Sequence, residues 1–499
     1  MSLLKLFIIL FVKAFFLAVV VQVAGIGLAP DEAQYWTWSE HLSLGYYSKP
    51  PGIAWQIAAG TALLGNTEEG VRLFAQVIGF LFPVFIYFSA RIAHLTSEQS
   101  YLAALIAALA PLGWLASLLS ITDGGLVIFW TLALATLFKP QKENVPPSYT
   151  TIGILIACGA LFKWPIYWFW LFLMPALLFI PRLRSSQIFT GISISLLGLL
   201  PSLFWNLTHN FATFRHVGAA IITKNTPDIG ATMLAKGNFW DFFGAQAMLL
   251  SPILFLLLFG AIWALLKNWK TVSEGIKICF FFSILPLLLF LTVAYFKKMQ
   301  GNWCEFAYPA AIILIAWYAS EKWIKIGLAL SCFLTLIIFA IPALQKNGIP
   351  IPYKFNAFKH NMGWDNLSAA LQKTNYDPET EFLFADKYQT TAVLSFYGPL
   401  QKQAFFFNLH GIRLNQFSFW PGMDKLALHK TGYFVIVENE PHLSRQWDSL
   451  LEKTPELLSL YFKKIEFLEA APLFGESKKA LIWKCEEYNG ELPTESTLY

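Results

Sequence analysis

The chain has 499 residues, of which 56% are hydrophobic, 17% aromatic and only 13% charged, a composition that points to a polytopic α-helical membrane protein. A formal net charge of +5, carried mostly by loop Lys and Arg, argues against a nucleic-acid partner. Five cysteines and no C-x-x-C, H-E-x-x-H, Walker or G-x-G-x-x-G signature exclude a metal or disulfide framework and leave Cys304 and Cys485 as the one conceivable pair.

Ala14 to Leu28 is apolar but for Gln22 and reads as the first span. Lys13 interrupts the N-terminal apolar run and no A-x-A site precedes the Asp31–Glu32 pair, so a retained anchor is expected here and not a cleaved signal peptide. The chain then runs D-E-A-Q-Y-W-T-W-S-E-H-L-S-L-G-Y-Y-S-K-P-P from Asp31 to Pro51, with Tyr35, Trp36, Trp38, Tyr46 and Tyr47 expected as a belt at the water–lipid interface. Further spans follow near Val71 to Ala90, Gly125 to Phe138 and Trp164 to Ile180, and apolar segments recur to about Ile341. Their flanking cations are Lys5, Lys13, Arg91, Lys139, Lys142, Arg182, Arg184, Lys267, Lys270, Lys277, Lys322 and Lys325. Placing these inside predicts about eleven spans. Residues 1–344 then form a membrane domain and residues 345–499 a soluble domain on the outer face.

On that topology Asp31, Glu32, Lys49, Asp123, Lys163, Arg215 and His216 fall on one membrane face although they are scattered in sequence. Each also has an ordinary structural reading. Asp31 and Glu32 suit the capping of the helix that follows, and Thr122 or Asp123 the capping of the helix from Gly124. Lys163 at a helix end suits snorkelling to the headgroups, and Arg215 and His216 suit a plain loop. Lys49 differs, because Pro50 and Pro51 stiffen its turn and a stiff turn presenting an ammonium favours an anion. Carboxylates and lysines without a nucleophilic Ser or Cys constellation fit a lipid-linked phosphosugar. Its phosphate leaves without a general acid but needs its charge held, the task for Lys49 and Lys163. The attacking acceptor must lose a proton, and Asp31 is the expected base. A single displacement of this kind inverts the anomeric carbon.

The segments D-E-A-Q-Y-W-T-W-S, G-Y-Y-S-K-P-P, I-T-D-G-G-L-V-I-F-W-T-L-A-L, G-A-L-F-K-W-P, P-S-L-F-W-N-L-T-H-N-F-A-T-F and G-N-W-C-E-F-A-Y-P resemble the GT-C glycosyltransferases of the protein O-mannosyltransferase and lipid A aminoarabinose transferase group. The resemblance covers roughly the first 320 residues. It implies the GT-C fold, a polyprenyl-phosphate-sugar donor, and a multi-pass protein of the bacterial inner membrane whose active site and C-terminal domain face the periplasm. The acceptor it implies is an envelope glycolipid such as lipopolysaccharide, another glycan, or a protein hydroxyl. It makes Asp31 and Asp123 catalytic, Lys49 and Lys163 phosphate partners, and Glu32 an acceptor-orienting or loop-supporting residue. Arg215, His216 and Trp303 are then expected on the substrate. No cofactor is assigned. A divalent metal is compatible with some relatives, but Ser48 and Lys49 stand where those carry an acidic residue or an Asp-His pair, so the metal ligands stay unassigned.

A transporter or flippase of lipid-linked sugars is the alternative reading, but its path would need ionisable groups through several spans and on both faces. The soluble part alternates patterns. Asp365 to Lys373 and Leu443 to Glu452 read as helices; Phe382 to Ala385, Ala404 to Phe407, Tyr433 to Val437, Lys464 to Leu468 and Ala480 to Trp483 read as strands, giving a small α/β domain.

Overall fold

The computed structural model describes residues 2–138, 145–222, 237–439 and 442–493. Lys139 and Lys142 and the middle of the outer loop from His209 to Asp241 lie outside these residues. The first helix, Ser2–Ala24, shows why the chain needs lipid. Leu4, Ile8, Phe11, Phe15, Val19 and Val23, three or four residues apart, form one exposed stripe, while Leu6, Leu10, Lys13 and Leu17 are buried on the other side. An apolar stripe of that length is stable against acyl chains and not against water. Lys13 is tolerated because its ammonium donates to the Gly113 carbonyl and to Ser117 Oγ, both at 2.8 Å.

Among the described residues five helices are long and apolar enough to cross a membrane, or up to seven if each of two bent pairs is one span. The bends, 58° and 98°, fall at Pro111 and Pro252, where the ring removes a backbone donor and opens the ladder. Four further apolar helices, Gly52–Leu64, Thr122–Phe138, Tyr149–Ala160 and Trp164–Phe179, are shorter than those. Several of the expected spans are therefore short or broken elements, which hydropathy alone does not distinguish from full crossings.

Beyond the helix Glu321–Lys346 lies a five-stranded mixed sheet of β1 (Phe382–Ala385), β2 (Phe405–Phe406), β3 (Gly432–Asn439), β4 (Phe462–Phe474) and β5 (Lys478–Tyr488), in the order β2-β1-β3-β5-β4. β1 runs parallel to β2 and β3; β5 pairs antiparallel with β3 and β4. The expected strands and both expected helices are present, with the β4–β5 hairpin longer than read. The helix Tyr388–Tyr397 has no counterpart among the expected elements, because Thr390 to Phe396 are all buried and no polar face marks its period.

This helix docks the sheet domain on the loop that follows the first helix. Trp36 meets Phe396 edge-on at 5.0 Å. The Tyr397 hydroxyl accepts from the Leu28 amide at 2.6 Å and donates to Glu68 at 2.5 Å. The docking corrects the expected aromatic belt. Tyr35, Trp36, Trp38, Tyr46 and Tyr47 are 0–5% exposed, the first four of them in one core with Leu367, Tyr433 and Ile482 of the sheet domain, not spread along lipid. Cys304 and Cys485, the one conceivable pair, are free thiols buried in separate cores.

Candidate active site

One end of the bundle gathers most of the predicted charges, and their partners separate them into two kinds. Glu32 is fully buried and fully engaged. Arg72 reaches its carboxylate with Nε at 3.1 Å and Nη2 at 2.9 Å, the Ser120 amide donates at 2.8 Å, and the Ala29 amide at 2.9 Å. Arg72 spends its remaining donors on the carbonyls of Ile26 and Gly27. Glu32 is thus the group that caps the helix Pro30–Ser39 and ties it to the bundle, with no oxygen turned to the cleft.

Asp123, in the first turn of its helix, is likewise held. Lys163, at the turn before Trp164, forms an ion pair with it, Asn302 donates at 3.2 Å and Thr122 at 3.2 Å. Glu305, on the outer turn Gly301–Ala307, faces the same carboxylate. Burial first, and then the neighbouring Asp123, push the Glu305 carboxyl well above the ordinary range. Burial alone would lower Lys163, but the Asp123 and Glu305 carboxylates outweigh it and raise it. The upward direction of the Glu305 shift has a direct check. Glu305→Gln, which keeps its shape, is expected to leave the thermal midpoint within about 2 °C, whereas Glu305→Ala opens a polar cavity and lowers it by several degrees. Equal losses in both would contradict a protonated Glu305.

Asp31 and Lys49 are the other kind. Asp31 neighbours Glu32 but is exposed, and its side chain makes no cap to the helix. Among the described residues neither the Asp31 carboxylate nor the Lys49 ammonium has a hydrogen-bonding partner. They lie close enough for each charge to act on the other. Loss of hydration raises Asp31 above the usual carboxylate range, Lys49 opposes the rise, Glu32 adds to it and Arg413 opposes it. Loss of hydration likewise lowers Lys49, with Lys163 adding to the effect and Asp123 and Asp31 resisting it. Two opposite charges are thus kept available on one surface, each made less comfortable by its surroundings.

His216 joins this surface, its ring 4.8 Å from that of Tyr47 and 3.4 Å from the guanidinium of Arg413. Arg215, beside it on the helix Ala212–Ile222, is exposed and is not among the charges acting on Asp31 or Lys49. Trp303 is 40% exposed and donates its indole N–H to Gln300 at 3.0 Å. Sequence reasoning did not single out Glu305 and Asn302, which lie inside the quoted segment G-N-W-C-E-F-A-Y-P, where their proximity to Asp123 was the unavailable fact; Arg413 opens R-L-N-Q-F-S-F-W in a loop of the sheet domain, a segment whose polar and aromatic residues suit a glycan or a packed core equally in sequence. Among the described residues no group of three or more His, Cys, Asp or Glu side chains is placed to hold a metal ion.

Residues 48–205 match the family model described as dolichyl-phosphate-mannose-protein mannosyltransferase. Over 375 residues the chain is 29% identical to lipid A galacturonosyltransferase RgtD of Rhizobium johnstonii, an alignment covering 73% of this chain and 76% of that protein. An uncharacterized protein of Aquifex aeolicus is 24% identical over 296 residues, 58% of this chain and 65% of that one. Two crystal structures of ArnT from Cupriavidus metallidurans share the fold. The form bound to undecaprenyl phosphate superposes with a TM-score of 0.64 at 13% identity, covering 96% of this chain and 97% of that one. The apo form gives 0.61 at 15% identity, covering 95% and 97%.

Proposed function

For a chain related to the GT-C glycosyltransferases of the lipid A-modifying type, we propose inverting transfer of a sugar from a polyprenyl-phosphate donor to an envelope glycolipid, lipid A foremost, at the outer face of the inner membrane. The observation that carries the reading is the Asp31 carboxylate, without a hydrogen-bonding partner among the described residues, within electrostatic reach of the likewise unpartnered Lys49 ammonium. In the proposed step an acceptor hydroxyl oxygen attacks the anomeric carbon, and the bond from that carbon to the phosphate oxygen breaks. The electron pair leaves with polyprenyl phosphate, and the hydroxyl proton goes to Asp31. Lys49 meets the charge developing on the phosphate. At ~4 Å such a pair is worth about 4 kcal/mol with an effective dielectric near 20. Asp123 acts through Lys163, holding that second ammonium toward Lys49 and the phosphate. Glu32 is a positioning residue that fixes the helix bearing Asp31.

The transporter alternative is disfavoured because Lys13, a buried charge of a long span, is consumed by Gly113 and Ser117 and lines no path. The test is direct. The purified protein in liposomes, given lipid A and undecaprenyl-phosphate donors carrying galacturonic acid, aminoarabinose or mannose, is expected to release undecaprenyl phosphate and form one glycosylated lipid A of inverted anomeric configuration. Flipping of the donor without any transfer would instead support the transporter.

A further inference from the structure

Three strands of the sheet domain, β2, β1 and β3, run parallel, and their carboxyl ends carry the segments nearest the cleft. In open α/β sheets this end collects ligand-binding loops, because the connections on either side of the central strand diverge there. After β1 comes Tyr388, opening its helix; after β2 comes the loop that bears Arg413.

The loop is built to hold Arg413 still. Before it, Asn408 closes a small ring, donating to the Ile412 carbonyl at 2.8 Å and accepting from the Ile412 amide at 2.9 Å, with Gly411 supplying the left-handed turn at φ +58°. After it, Gln416 accepts from the Tyr47 amide at 2.7 Å, and Leu414 and Phe419 pack on Tyr47 and Trp205 of the membrane domain. The backbone is fastened on both sides while the side chain stays exposed. Its guanidinium lies 5.8 Å over the Tyr388 ring and 3.4 Å from the His216 nitrogens, and its charge is felt by both Asp31 and Lys49. Among the described residues no carboxylate forms an ion pair with it. An arginine that only fastened structure would spend its fork on carboxylates and carbonyls, as Arg72 does within the membrane domain.

Resting on the transferase reading above, we propose that Arg413, delivered by the sheet domain, binds an oxyanion of the reacting substrates, with Tyr388 as the platform under its guanidinium. A planar guanidinium fork held beside an aromatic ring matches the paired oxygens of a carboxylate or phosphate. Two sources share that chemistry: a carboxylate on the transferred sugar, and a phosphate on the glycolipid acceptor. The sheet domain is then part of the active site, and a membrane domain alone would lack a substrate contact.

The experiment compares the full-length wild type, Arg413→Ala and Arg413→Lys in liposomes. Donors carry a uronic acid or a neutral hexose, and the acceptor is lipid A before or after phosphatase treatment. Arg413→Ala is expected to raise KM for the oxyanion-bearing substrate at least about tenfold with a much smaller change in kcat, and Arg413→Lys to recover part of it. Loss of the penalty with the neutral donor identifies the sugar carboxylate; loss with dephosphorylated acceptor identifies the phosphate. A penalty that is absent, or equal for every pair, overturns the proposal. Equilibrium binding of the same donors and acceptors to wild type and Arg413→Ala needs no turnover. A wild type that transfers nothing yet loses oxyanion-dependent binding on Arg413→Ala would retain this inference and refute the transferase reading.

Discussion

Asp31→Asn is expected to lower the transfer rate by about 10²–10⁴-fold while leaving the protein folded and no less stable. The rate loss follows from removing a carboxylate whose oxygens are uncommitted and whose charge acts on Lys49. The stability follows from the sign of its titration. Crowding by protein raises Asp31 above its unfolded value. A carboxyl shifted in that direction contributes stability only at low pH and gives it up as pH rises through the raised value, so at neutral pH the charged Asp31 weighs against the fold. An asparagine removes the charge and keeps the shape. The wild-type rate is expected to fall on the acid side with an apparent pKa above the usual carboxylate range, and no such limb should remain in Asp31→Asn. Rates from pH 4 to 9 and thermal unfolding of both proteins check this. An unchanged rate, or a marked loss of stability, would make Asp31 a structural residue.

Arg72→Met is expected to produce the opposite pattern, a loss of about 3–5 kcal/mol of stability, because it strands a fully buried Glu32 carboxylate without its counter-charge. Replacing both partners removes the stranded charge, so Glu32→Gln/Arg72→Met is expected to recover much of that loss although it carries one more substitution. Residual activity per folded molecule should stay near wild type in the double variant if Glu32 never touches substrate. Thermal or denaturant unfolding and activity normalised to folded protein give the readout. A double variant worse than Arg72→Met alone, or one that is folded but inactive, would show that Glu32 acts beyond holding the loop.

The contrast between Asp31 and Glu32 marks where the sequence stops being legible. The D-E pair placed two carboxylates after the first span, and the motif pattern placed them near a phosphosugar, but adjacent residues on a helix point about 100° apart. Which one meets the cleft depends on Arg72, forty residues away, and that contact has no local signature. Asp123 and Lys163 were both legible as polar residues at the mouths of apolar helices, yet their pairing with each other, and with Glu305, is a tertiary fact. The interface belt failed for a related reason. Trp and Tyr serve equally at a lipid boundary and in a domain contact, and the helix Tyr388–Tyr397 that covers them lacks the periodicity that would have announced it. The strands of the sheet were legible because alternation and β-branched runs are local properties; their order, which turns Arg413 toward the membrane domain, is not.

The most direct test is mass spectrometry of envelope glycolipids from cells that lack this protein, complemented with the wild type or with Asp31→Asn at equal expression. The account predicts that one sugar-sized mass increment on lipid A disappears in the deletion and returns with the wild type but not with Asp31→Asn. Restoration of every lipid species by Asp31→Asn would contradict it.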